Sequence, residues 1–193
     1  MSRSPRKLAT EDQLYAAALR ALMRRAHSVY EMRQALERKA EDKSLVPAVL
    51  ARLKEKGYLD DARYARQFAH YHAELRRQGR FRIARDLRAR GVPDRHIEAA
   101  LDEVSSEVDE AVQVRQRIAR KIKLLRLSRS RESGTRGGTG ESQFRAQSSG
   151  LDDRKLASLY RSLLRAGFTS DVIRRELRAL TKRDVEADVG AES

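Results

Sequence analysis

IARDLRARGVPDRHIEAALDEV, residues 83–104, is the stretch whose reading decides the fold. Ile83 and Leu87 stand one helical turn apart, and Ile97, Leu101 and Val104 continue the same spacing beyond Gly91. Aliphatics recurring at four and three residues line one face of an α-helix. Between the two runs, Gly91-Val92-Pro93-Asp94 reads as a helix end, a stop and the N-cap of a new helix. The same frame occurs twice more. Met32, Leu36, Ala40, Val46, Leu50 and Leu53 form an earlier copy, and Leu159, Leu163, Gly167, Ile173, Leu177 and Leu180 a later one. Apolar positions that agree in three copies without a gap indicate a duplicated helix–turn–helix unit. Arrays of this kind work through an extended surface rather than a single pocket.

Working outward, each copy gains a preceding helix. Gly57 stops the helix before it, Asp60 is the natural N-cap of the next with Asp61 in its first position, and Tyr64, Phe68, Tyr71 and Leu75 then mark a helical stripe. Tyr15, Leu19 and Leu22 hold the corresponding places upstream. The expected fold is therefore all-α, with three tandem three-helix, helix-turn-helix-like repeats. The divisions fall at a disordered basic lead over 1–10, repeats over 11–56, 57–105 and 106–182, and a disordered acidic tail over 183–193. Thr10 caps the first helix, Ser28 with Glu31 forms a capping box on the second, and Pro47 sits in the first turn of the third. Within the third repeat a basic helix runs over 107–127 into a Gly/Ser/Arg-rich stretch, 128–150, that reads as a flexible insertion.

Composition narrows the function classes. The 193 residues carry 42 Lys+Arg against 28 Asp+Glu, a formal net charge of +14, which favours a polyanionic partner because phosphate contacts release condensed counterions. There is no cysteine, so disulfides and thiolate metal ligands are excluded and a reducing cytoplasm is the expected compartment. No apolar run approaches membrane-spanning length and no signal-peptide core is visible, so a membrane role is not expected.

One chemical signal stands out in the sequence. Asp60-Asp61 and Asp152-Asp153 resemble paired catalytic carboxylates, but both pairs stand at helix starts, where capping explains them. His70 and His72 are two apart and point to different faces of a helix, so they do not chelate one ion together. Gly137-Gly138-Thr139-Gly140 lacks the lysine and the preceding strand of a phosphate loop. No catalytic residue, cofactor or metal is expected. Basic runs survive: seven arginines against one acid between Arg76 and Arg90, and eight basic residues without an acid between Ala111 and Arg131. Ile118, Ile122 and Leu125 form the buried stripe of the second run, leaving the cations to face outward. The candidate contact residues are Lys39, Arg76, Arg77, Arg80, Arg82, Arg85, Arg115, Arg117, Arg120, Lys121, Lys123 and Arg126. Those near the helix corners are expected to meet phosphate through side chains and backbone amides. Glu55, Glu98, Asp102, Glu103 and Glu176 on the third helices oppose insertion into a duplex, so base reading is not expected.

The run Gly57-Tyr58-Leu59-Asp60-Asp61-Ala62-Arg63-Tyr64-Ala65 resembles the signature of the RecX regulatory proteins, as do Ser28-Val29-Tyr30-Glu31-Met32, Arg90-Gly91-Val92 and Arg165-Ala166-Gly167-Phe168. The resemblance spans about residues 14–180 apart from the insertion. It implies a curved, elongated array of three-helix repeats; a monomer is expected. It also implies binding to the RecA recombinase filament on single-stranded DNA, through backbone contacts without sequence specificity, and restraint of its ATPase, strand-exchange and co-protease activities. A stand-alone nucleic-acid-binding protein is the alternative, and it requires no recombinase.

Overall fold

The computed structural model describes residues 7–132 and 153–189, with side chains over 7–124 and 153–181. These residues form α1 (Glu11–Leu22), α2 (Val29–Glu37), a 3-10 turn (Lys43–Leu45), α3 (Val46–Glu55), α4 (Asp61–Glu74), α5 (Arg80–Arg88), α6 (Asp94–Glu107), α7 (Glu110–Glu132), α8 (Asp153–Arg165) and α9 (Ser170–Val189). The fold of the described residues is all-α. They divide into two compact units. One holds the described residues to Arg76 together with Ile83–Glu107, and the other holds Arg77–Arg82 with the described residues from Val108.

In the first unit α1, α2 and α3 pack on one another. Leu14, Ala18, Met32, Leu36, Val46, Leu50 and Leu53 fill their core, as the apolar frame requires. The caps follow the sequence: Thr10 accepts from the Gln13 amide at 3.3 Å, and Ser28 and Glu31 close a capping box. Asp60 accepts from the Arg63 amide at 3.0 Å. Asp94 is the first residue inside α6 rather than its cap, because the Ile97 amide bonds to the Pro93 carbonyl. It instead holds Arg88 at 2.7 Å. Residues 7–10, expected to belong to a disordered lead, are tied down. Leu8 bridges to Ala40 through backbone bonds to Lys39 and Glu41 and packs against the core, and Lys7 Nζ donates to the Arg38 carbonyl.

α4 packs along α6 through a row of small residues: Ala65, Ala69 and Ala73 on α4 and Ala100 on α6 are all buried. Gly91 and Gly167 turn the chain in the left-handed region, with φ of 68° and 88°. A Cβ at Gly91 would strike the Tyr30 ring, and one at Gly167 the backbone of Arg82. Glycine is therefore required there on two counts, conformation and space.

In the second unit Val114, Ile118, Leu159, Leu163, Phe168, Ile173 and Leu177 form the core of α7, α8 and α9. Glu110 clamps the start of α9, accepting from the Thr169 amide at 2.8 Å and from its hydroxyl at 2.7 Å. Two helices outrun the expected ends. α7 continues to Glu132 and α9 to Val189, because no Gly or Pro interrupts 128–132 or 183–189. Residues 133–152, most of the expected insertion with Asp152 and the glycine cluster, lie outside the described residues.

Candidate nucleic-acid interface

The signature run builds a joint. Asp60 caps α4, while Asp61 reaches back to α2 and accepts from the Val29 amide at 2.9 Å. Arg63 donates to the Gly57 carbonyl at 2.6 Å, closing the turn. The Tyr64 hydroxyl meets Glu31 at 3.4 Å, and Glu31 in turn binds Arg25 at 3.0 Å. Ser28, fully buried, donates to the Arg90 carbonyl at 2.6 Å, and the Arg90 guanidinium lies 4.9 Å from the Phe68 ring centroid. Burial pushes the Glu31 carboxyl upward, but hydrogen bonds from Arg25 and the Ser28 amide, with the charges of Arg25 and Arg90, outweigh it and hold the group below its ordinary value. These residues lock α2 to α4 and to the end of α5. They are structural, as the capping reading of the acid pair anticipates.

The candidate cations separate by unit. Lys39, Arg76 and Arg85 lie in the first unit, all exposed, with Arg76 5.8 Å from the Tyr71 ring and Arg85 3.7 Å from Asp86. Arg77, Arg80, Arg82, Arg115, Arg117, Arg120, Lys121 and Lys123 lie in the second. Arg115 is engaged, 3.7 Å from the nearly buried Glu176. The Arg126 side chain lies outside the described residues.

Within the second unit a real convergence occurs. Arg117 Nη1 donates to the Arg77 carbonyl at 3.0 Å, so it leans onto the 77–82 segment and is half-buried, where the helical stripe has it facing outward. Burial, then the charges of Arg82 and Arg120, pull its guanidinium below the usual value. Arg77 holds this carbonyl in place from a left-handed conformation, φ 50°, which costs an L-residue about 1–2 kcal/mol. Gly79 lies against Gly167 so closely that a Cβ on it would overlap the Gly167 carbonyl. The Gly79 amide donates to Ala166 at 2.9 Å, and the Phe81 amide to Gly167 at 3.1 Å. These bonds leave the Gly79 and Phe81 amides occupied by carbonyls.

Charge placement is also unusual along the chain. α1, α2, α4, α6, α7, α8 and α9 each begin with an acid in the first turn, whereas α5 begins with Arg80 and Arg82. Cations at the positive end of a helix cost about 0.3–1 kcal/mol each. Sequence reading missed a further basic strip on α9, where exposed Arg174, Arg175 and Arg178 line an open hollow with Asp171. The run Arg174-Arg175-Glu176-Leu177-Arg178 carries the signal, but Glu176 in its middle reads as neutralising until its nearly buried side chain is seen beside Arg115.

The class defined here is an all-α protein of tandem three-helix domains with a cationic surface and an acid-locked joint. Comparison with known proteins agrees. Residues 15–53 match the family profile described as RecX, first three-helix domain, and residues 60–101 that of RecX, second three-helix domain. The chain is 33% identical over 182 residues to the regulatory protein RecX of Halorhodospira halophila, covering 94% of this chain and 97% of that one. It is 32% identical over 165 residues to RecX of Leptothrix cholodnii, covering 86% and 87%. The crystal structure of RecX from Lactobacillus salivarius superposes with a TM-score of 0.66 at 19% identity, over 88% of this chain and 96% of that one. The chain belongs to the RecX family of regulatory proteins.

Proposed function

We propose that this protein binds the RecA recombinase filament on single-stranded DNA and restrains its ATPase, strand-exchange and co-protease activities, in homologous recombination, DNA repair and the SOS response of the cytoplasm. The observation that carries the reading is the half-buried Arg117, held on the Arg77 carbonyl with the charges of Arg82 and Arg120 acting on it, in a member of a family of regulatory proteins. Like charges that act on Arg117 favour an anion beside it, and phosphate or carboxylate binds guanidinium through paired hydrogen bonds. The contacts are to backbone phosphates and acidic recombinase surface, so they carry no base sequence. Inhibition acts by occupancy: a bound protein excludes the next recombinase subunit or the incoming strand.

The test is recombinase ATPase on single-stranded DNA, followed as the protein is added to stoichiometric levels and beyond. A fall in turnover supports the reading, and unchanged turnover sinks it. A pull-down from nuclease-treated extract distinguishes recombinase binding from simple coating of DNA.

A further inference from the structure

The alanine row that lets α4 approach α6 also brings the polar residues beside it together. His70 and Glu74 share one face of α4, and Glu103 and Glu107 share one face of α6, each pair four residues apart. His70 Nε2 stands 3.7 Å from Glu103 Oε1, and Nδ1 stands 3.5 Å from Glu107 Oε2. One ligand atom from each of His70, Glu74 and Glu107 falls within 4.8 Å of the other two. Three carboxylates thus surround one half-buried imidazole in a chain whose formal net charge is +14.

We propose that His70, Glu74 and Glu107 bind a divalent first-row metal ion of the zinc type, with Glu103 orienting the imidazole. The chemistry of the donor set points this way. Imidazole with carboxylates suits zinc, nickel or cobalt, whereas magnesium and calcium take oxygen alone. Ligands about 2.1 Å from a tetrahedral ion lie about 3.4 Å from one another, so small rotations of the exposed Glu74 and Glu107 side chains close the cluster around an ion. The second ring nitrogen turned toward Glu103 matches how a ligating histidine is held by a carboxylate on its far side. Three protein ligands leave the remaining positions to water. The ion spans α4 and α6, so its binding adds directly to the stability of their packing.

Metal-free full-length protein is titrated with zinc chloride, read by calorimetry and by thermal unfolding, with magnesium chloride as comparison. The expected result is one strong equivalent of zinc and a rise of several degrees in Tm, with no rise in magnesium. Glu107→Gln and Glu74→Gln each weaken zinc binding at least ten-fold, and Glu103→Gln about ten-fold. Both Glu74 and Glu107 are exposed, so their variants keep the fold, which metal-free melting verifies first. His27→Gln and His96→Gln leave binding unchanged. An absent Tm rise overturns the proposal. So does a rise that persists in the Glu74→Gln/Glu107→Gln double variant, or one abolished by His27→Gln or His96→Gln.

Discussion

Two polar regions of this molecule are built on opposite principles. At the α2–α4 joint, Ser28, Glu31, Asp61, Tyr64, Arg25 and Arg90 alternate in sign and bond to one another or to helix-end amides. Around Arg77–Arg82 and α7, arginines lie near one another, and the Arg117 and Arg82 guanidiniums each donate to a backbone carbonyl. The first region is paired within the chain, apart from the buried Nε of Arg90, and contributes to folding. The second sets the charges of Arg82 and Arg120 against the half-buried Arg117 and holds Arg77 in a left-handed conformation, both at a cost to folding.

Ser28→Ala breaks the comparison hardest. It removes both the cap on the Glu31 amide and the donor to the Arg90 carbonyl, and should cost about 2–3 kcal/mol in urea unfolding. Filament affinity of the protein that remains folded should not change. Arg120→Gln is the converse test. The side chain is exposed, so stability stays within about 0.5 kcal/mol. Affinity for filaments falls about five-fold at low salt, and the dependence of log affinity on log salt flattens by about 0.7. A loss of stability with unaltered affinity would place this surface with the joint.

The smallest effect concerns pH. Since Glu31 is held below its ordinary value in the folded chain, its contribution is present above about pH 4.3 and is lost as pH falls through the folded value. Urea midpoints measured between pH 6 and pH 3 should fall more steeply for the native chain than for Glu31→Gln. Equal slopes would remove Glu31 from the account of the joint.

Much of this was legible in the chain because it is local. The apolar frame repeated at Met32, Ile83 and Leu159, the caps Thr10, Ser28 and Asp60, and the turn glycines Gly91 and Gly167 obey rules set within a few residues. The acid pair at Asp60 was readable as capping for the same reason, although the reach of Asp61 to α2 was not. Charge runs were readable only as totals. Arg115 and Arg117 look alike by sequence, yet one faces Glu176 and the other joins Arg77, because their neighbours come from residues some 40 to 60 positions away. The same distance hid the acid cluster. Spacing separates His70 from His72, which stacks on Phe68, but it does not show that Glu103 and Glu107 of α6 meet His70.

The sequence by itself determined the helices, their order, their threefold pattern and the cationic bias, since periodicity, capping and net charge are properties of the chain. Tertiary structure alone decided which charges are neutralised and which accumulate. That outcome depends on how closely two helices approach, and the alanine row of α4 and the Gly79–Gly167 contact set that distance only when their partners are in place.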